Sequence, residues 1–167
     1  MANRVVSQTL IDNNKRTLIK YVIVSDGSAI ANSSLIKFNE LRFAMNANNY
    51  IANTDPKANY GVSIKRIFGT SKIQNAAGYI SLKWESGSNT EIVALTSGQF
   101  DIDFGSLTGD NAVIPSPDAN NRGLIYSATS PTSGDIVNLF IDLRKDSKDF
   151  DAGQTADPVA FNRNWSM

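Results

Sequence analysis

The chain has 167 residues, 16 Lys+Arg against 16 Asp+Glu, a formal net charge of zero, and neither histidine nor cysteine. Those two absences exclude thiol catalysis, disulfide framing, zinc-finger metal binding and Ser-His-Asp hydrolysis, and leave an enzyme only carboxylate, Lys, Tyr or Ser-Lys chemistry. The length suits one domain with or without arms. A 41% hydrophobic composition with 8 Phe, 5 Tyr and 2 Trp supplies a core, and the balanced charge lacks the basic footprint that nucleic-acid binding requires.

Runs of four to nine residues rich in Val, Ile, Phe and Tyr alternate with Gly, Asn, Asp, Ser and Pro clusters, the punctuation of an all-β domain. Arg4 to Ile11 and Thr17 to Ser25 read as strands, the second ending at the turn signal Asp26-Gly27. Ser33 to Leu41 fits a helix through Leu35, Phe38 and Leu41 and a strand through Ile36, Phe38 and Glu40; strand is preferred. After an Asn-rich loop with Asp55-Pro56, Tyr60 to Phe68 is extended and stops at Gly69. Gly78 to Glu85 puts Ile80, Leu82 and Trp84 on one face and Tyr79, Ser81 and Lys83 on the other, the period of a half-buried strand. Ser86-Gly87-Ser88-Asn89 then turns into Glu91 to Leu95 as a hairpin.

Phe100, Ile102 and Phe104 alternate with Asp101 and Asp103 in a further strand. Gly105 to Asn121 carries Pro115 and Pro117 and reads as a loop. Leu124 to Ala128 and Asp135 to Arg144 close the domain. Strands at this spacing imply an antiparallel two-sheet β-sandwich, jelly-roll-like, over 17–144. The first 16 residues are expected as an N-terminal arm or exchanged strand, and 145–167 as an extended C-terminal tail. That tail holds Phe161 and Trp165 in otherwise polar sequence, and exposed aromatic surface invites association.

Candidate chemistry is sparse. Ser34-Leu35-Ile36-Lys37 matches the S-x-x-K string of Ser-Lys hydrolases, but the segment leans to strand and the K-T-G partner string is missing. Asp101 and Asp103 face one way on a strand and are the only plausible acid-base or cation-holding pair; a solvated outer face is the preferred reading. Asp146 to Gly153 spaces acidic residues like a calcium loop, without the Glu at position twelve, and reads as a solvated linker. Tyr79, Tyr60 or Trp165 as stacking platforms would make a carbohydrate-binding module. No apolar stretch approaches the roughly 20 residues that cross a bilayer. Met1 to Val6 has no leader-like apolar core, so no membrane partner and cytoplasmic synthesis are expected.

Arg16-Thr17-Leu18-Ile19-Lys20-Tyr21 with Ser25-Asp26-Gly27, then Val62 to Phe68, Ile80 to Glu85 and Phe100 to Gly105, and finally Ser133-Gly134-Asp135 leading into Leu143-Arg144, together span residues 16–144. In this order they resemble small virion structural proteins of tailed bacteriophages. The resemblance implies a non-enzymatic capsid-surface decoration (cement) protein, made in the host cytoplasm and located on the virion. Its implied partners are the major capsid protein and copies of itself in a homo-oligomer, with no cofactor or metal. A neck or tail component is the alternative placement. On this reading Val5, Val6, Leu10 and Ile11 of the first arm and Phe161 and Trp165 of the last bury on neighbouring chains. The mildly basic first arm (Arg4, Lys15, Arg16) is expected to meet the acidic last one (Asp146, Asp149, Asp151, Asp157) across a subunit boundary.

Overall fold

A computed structural model describes residues 3–51, 55–104 and 122–151. Among these residues nine strands form: β1 (Arg4–Asp12), β2 (Arg16–Asp26), β3 (Ile30–Lys37), β4 (Val62–Lys72), β5 (Tyr79–Glu85), β6 (Glu91–Leu95), β7 (Gly98–Asp103), β8 (Gly123–Thr129) and β9 (Ser133–Lys145). They build a five-stranded sheet in the order β1-β2-β9-β4-β7 and a four-stranded sheet in the order β3-β8-β5-β6. Every pairing is antiparallel. The expected all-β, two-sheet antiparallel sandwich is the fold found.

The two sheets meet because alternation, broken in β4 by a bulge between Ile64 and Arg66, loads one face of each. From the larger sheet come Ile19, Tyr21 and Ile23 of β2, Val62, Ile64 and Ile67 of β4, and Val137, Leu139, Ile141 and Leu143 of β9; the smaller sheet supplies Ile80, Leu82 and Trp84 of β5 and Leu124, Tyr126 and Ala128 of β8. β9 is central, paired with β2 on one side and β4 on the other, so its four apolar side chains are the deepest row. The Tyr21 hydroxyl crosses the sandwich to donate to Leu35 O at 3.0 Å, and burial raises the pKa of that phenol.

Three segments depart from the sequence expectations. The ambiguous stretch Ser33 to Leu41 is strand only to Lys37, followed by a 3-10 turn over Phe38–Glu40, which swings buried Phe38 edge-on to Trp84, ring centroids 6.3 Å apart. β4 does not stop at Gly69 but runs on to Lys72. Gly69 has φ +153, and a Cβ there would lie 1.9 Å from Asn138 O and 3.2 Å from the Phe100 ring. Glycine is therefore demanded by close strand approach within the sheet, not by a chain break. The strand expected over Arg4 to Ile11 is present as β1, paired with β2. The loop expected over Gly105 to Asn121 lies outside the described residues.

The third departure is the start of the tail. The solvated linker expected from Asp146 is, as far as Asp151, packed on the body. Phe150 is fully buried, tilted against Tyr60 at 5.6 Å. Asp149 accepts from Lys57 Nζ at 2.8 Å and from Gly61 N at 2.7 Å, which ties this turn to the long connection between β3 and β4. Just before it, the fully buried Lys145 ammonium donates to Asp12 Oδ1, to Asn13 O at 2.8 Å and to Arg42 O at 2.9 Å. All three of its protons are used, and the Phe150 ring lies 5.0 Å from the nitrogen. Desolvation pushes the Lys145 pKa down against the pull of Asp12. Removing one member of such a buried pair strands the rest, at a cost of about 3–5 kcal/mol. Lys145→Met is therefore expected to lose that much stability in urea unfolding; a loss under about 1 kcal/mol, the scale of an exposed pair, would show that the cluster is not a structural tie.

Candidate interaction surface

β1 is an edge strand, hydrogen-bonded to β2 and, among the described residues, open on its other side. Among the described residues four large hydrophobic side chains are exposed: Val5 at 38%, Val6 at 45%, Leu10 at 45% and Ile136 at 38%. Three of the four therefore lie on this one strand. Ile11, the fourth residue expected to bind partners here, is half-buried. Phe161 and Trp165 lie outside the described residues.

Register explains the exposure. Val5 sits opposite Ile23 and therefore shares the core-side face of the sheet, while Val6 sits opposite Val22 on the outer face. Val5 thus stays 38% exposed although it shares the face of buried Ile23. Paired apolar residues, Val5-Val6 and Leu10-Ile11, load both faces of a strand. A bulge between Thr9 and Ile11 leaves Leu10 without a β2 partner.

The strand is nevertheless fastened at both ends. At its start, Asn3 Oδ1 accepts from Asp26 N at 2.9 Å and Asn3 Nδ2 donates to Ser28 O at 3.2 Å. At its end, Asp12 accepts from Thr17 Oγ1 at 2.9 Å, Arg42 N at 3.0 Å and Lys145 Nζ. The outer face continues the apolar surface through Val22 and Val24 of β2 to Ile136, which is opposite Val24 on β9. Beyond that lie a stacked Phe68–Phe140 pair, 4.8 Å between centroids and 5° between planes, and Arg66 over Phe68 at 4.8 Å.

The other candidates are placed as follows. Asp101 and Asp103 lie opposite Phe68 and Arg66, on the outer face as expected, and Arg66 donates to both Asp101 oxygens at 2.8 and 2.6 Å. That fork holds the exposed Asp101 carboxyl below its ordinary pKa, the opposite of what a general acid at neutral pH needs. Ser34 and Lys37 are on a strand, three residues apart, so one helical turn does not join them. The Lys37 ammonium is engaged by Glu85 at 2.5 Å. Tyr60 is buried, its hydroxyl donating to Met45 O at 2.9 Å, which removes it as an open stacking platform. Half-buried Tyr79 borders a void of only about 10 Å³.

A polar cleft of about 440 Å³ between Lys37, Asn39, Glu40, Lys57 and Arg122 is cationic at first sight, but Lys37 and Lys57 are neutralised by Glu85 and Asp149. Among the described residues no three acidic side chains cluster to hold a metal ion, and no helix is long and apolar enough to cross a membrane. No family model and no curated protein sequence matches this chain.

The sequence had pointed to Val5, Val6, Leu10 and Ile11 by their apolarity; it did not show that the strand is clamped in place at both ends. The signal for that was available in Asn3 and Asp12, short polar residues flanking the strand, each of a type that satisfies turn backbone. The Arg66–Asp101 fork yields a direct test. The Asp101 carboxyl, followed by NMR, is expected to titrate below an ordinary aspartate and to return toward it in Arg66→Ala; an unchanged midpoint in the variant would show that the ion pair is not formed in solution.

Proposed function

We propose that this chain is a non-enzymatic structural component of a tailed-phage virion, a decoration protein that seats on the capsid surface and reinforces it across subunit junctions. The observation that carries the reading is the concentration of exposed hydrophobic side chains on edge strand β1. An isolated soluble domain gains nothing from three open aliphatic residues on an unpaired edge, because such edges invite association unless charge or proline protects them. Burying Val5, Val6 and Leu10 on a neighbour is worth roughly 1.5–3 kcal/mol each, modest singly and strong when repeated over a shell. Support for the phage assignment is the order of strand motifs between residues 16 and 144.

In this reading the sandwich is the body, β1 one contact, and the chain end bearing Phe161 and Trp165 a second. The cut that tests the second contact falls after Asp151, since Phe150 and Asp149 belong to the body. Deleting residues 152–167 should leave thermal unfolding unchanged and weaken co-sedimentation with capsids. Val6→Asp should weaken the same binding by about tenfold or more, the equivalent of 1.4 kcal/mol or above. Mass spectrometry of purified particles should find the protein at high copy number. A fixed low copy number would move it to a neck or tail ring, and its absence from particles would end the virion reading.

A further inference from the structure

We infer that β1 is a self-complementary edge through which two copies of this chain join, antiparallel about a two-fold axis, so that their five-stranded sheets become one continuous sheet. This rests on the reading of β1 as a contact strand, and it holds whether or not the protein sits on a capsid. The first argument is the order of residues in the strand: Arg4-Val5-Val6-Ser7-Gln8-Thr9-Leu10-Ile11-Asp12. Read from either end it runs charged, apolar, apolar, hydroxyl, Gln, and the two end charges have opposite sign.

A two-fold axis normal to the sheet keeps each residue on its own face. It therefore allows only registers in which facing residues differ by an even number, or a residue faces itself. With Gln8 on the axis, Ser7 faces Thr9 of the second copy on the core-side face and Val6 is set against Leu10; beyond Thr9 the bulge turns Ile11 to the outer face, opposite Leu18, so it does not face Val5, which lies opposite Ile23. Like charges never meet. The bulge at Thr9/Ile11 ends the regular ladder there, so the joint rests on the central rungs from Val6 to Leu10. Asp12 is already bound by Lys145, and Arg4 adds only a rim attraction there.

The second argument is that the remaining edges are blunted in ways β1 is not. β7 carries Asp101 and Asp103. β3 breaks register twice and holds Asn32 at φ +51. β6 has five residues and opens with Glu91. β1 has nine residues, no proline, and charge only at its two ends; its one bulge lies at Thr9/Ile11 and leaves Arg4 to Thr9 a regular edge without the usual protection.

The test uses the full chain. Sedimentation equilibrium over a concentration series is expected to show a monomer–dimer equilibrium, and Val6→Lys is expected to weaken the dimer at least about tenfold. Because the native chain has no cysteine, Gln8→Cys gives a clean second readout. On the axis the two Cβ atoms come within about 4.5–5.5 Å, close to disulfide reach, so oxidation should cross-link Gln8→Cys far faster than Gln99→Cys on the opposite edge. A wild-type monomer throughout the series, or cross-linking no faster at position 8 than at 99, would overturn the two-fold. A monomer that still binds capsids overturns only this inference; a dimer that does not bind them overturns only the virion reading.

Discussion

One buried ammonium closes the molecule. Lys145 stands at the end of the central strand, and its three protons go to the carboxylate that ends β1, to the turn between β1 and β2, and to the backbone of Arg42. It draws together the β1–β2 hairpin and the long β3–β4 connection at the point where β9 ends, beside the Asp12–Arg42 and Asp149–Lys57 bonds that join the same segments. The cost of burying a charge is offset only when every donor finds an acceptor, as happens here. The result is a β1 strand fixed at its far end and, through Asn3, at its near end, with its outer edge and aliphatic side chains left open between them.

Four further carboxylates pair with cations across the fold. Asp142 takes a two-pronged bond from Arg16 at 2.8 Å, Asp149 takes Lys57, Asp101 takes Arg66 and Glu85 takes Lys37. Each joins segments far apart in sequence. In a chain without disulfides, these pairs fasten loops and strand ends to a core that the apolar rows alone hold together, and each carboxylate so engaged is committed to a cation at neutral pH.

Strand existence was legible because period-two alternation is local: Ile80, Leu82 and Trp84 mark β5 without reference to anything else. What the sequence hid is nonlocal. Gly69 reads as a stop until Asn138 is seen passing beneath it. Phe150 reads as part of a solvated linker because its partners, Tyr60 and Lys145, reach it only through the fold. Arg4 to Ile11 reads as a strand, and the apolar pairs Val5-Val6 and Leu10-Ile11, which load both faces, fit a sheet edge; which strand it pairs with is not written in that segment. The apolar positions of the contact strand were readable, and its seat in its own sheet was not, since strand order is set by pairing between segments that local pattern does not encode.

The central claim is that β1 is folded onto its own sheet while its outer edge waits for a partner. Amide hydrogen exchange along Arg4–Thr9, followed by NMR in dilute and in concentrated protein, addresses it most directly. The expected result is that alternate amides, those facing β2, are protected in dilute solution, and that the intervening ones gain protection only on concentration. Uniform fast exchange of the strand in dilute protein, or outward amides indifferent to concentration, would contradict the account.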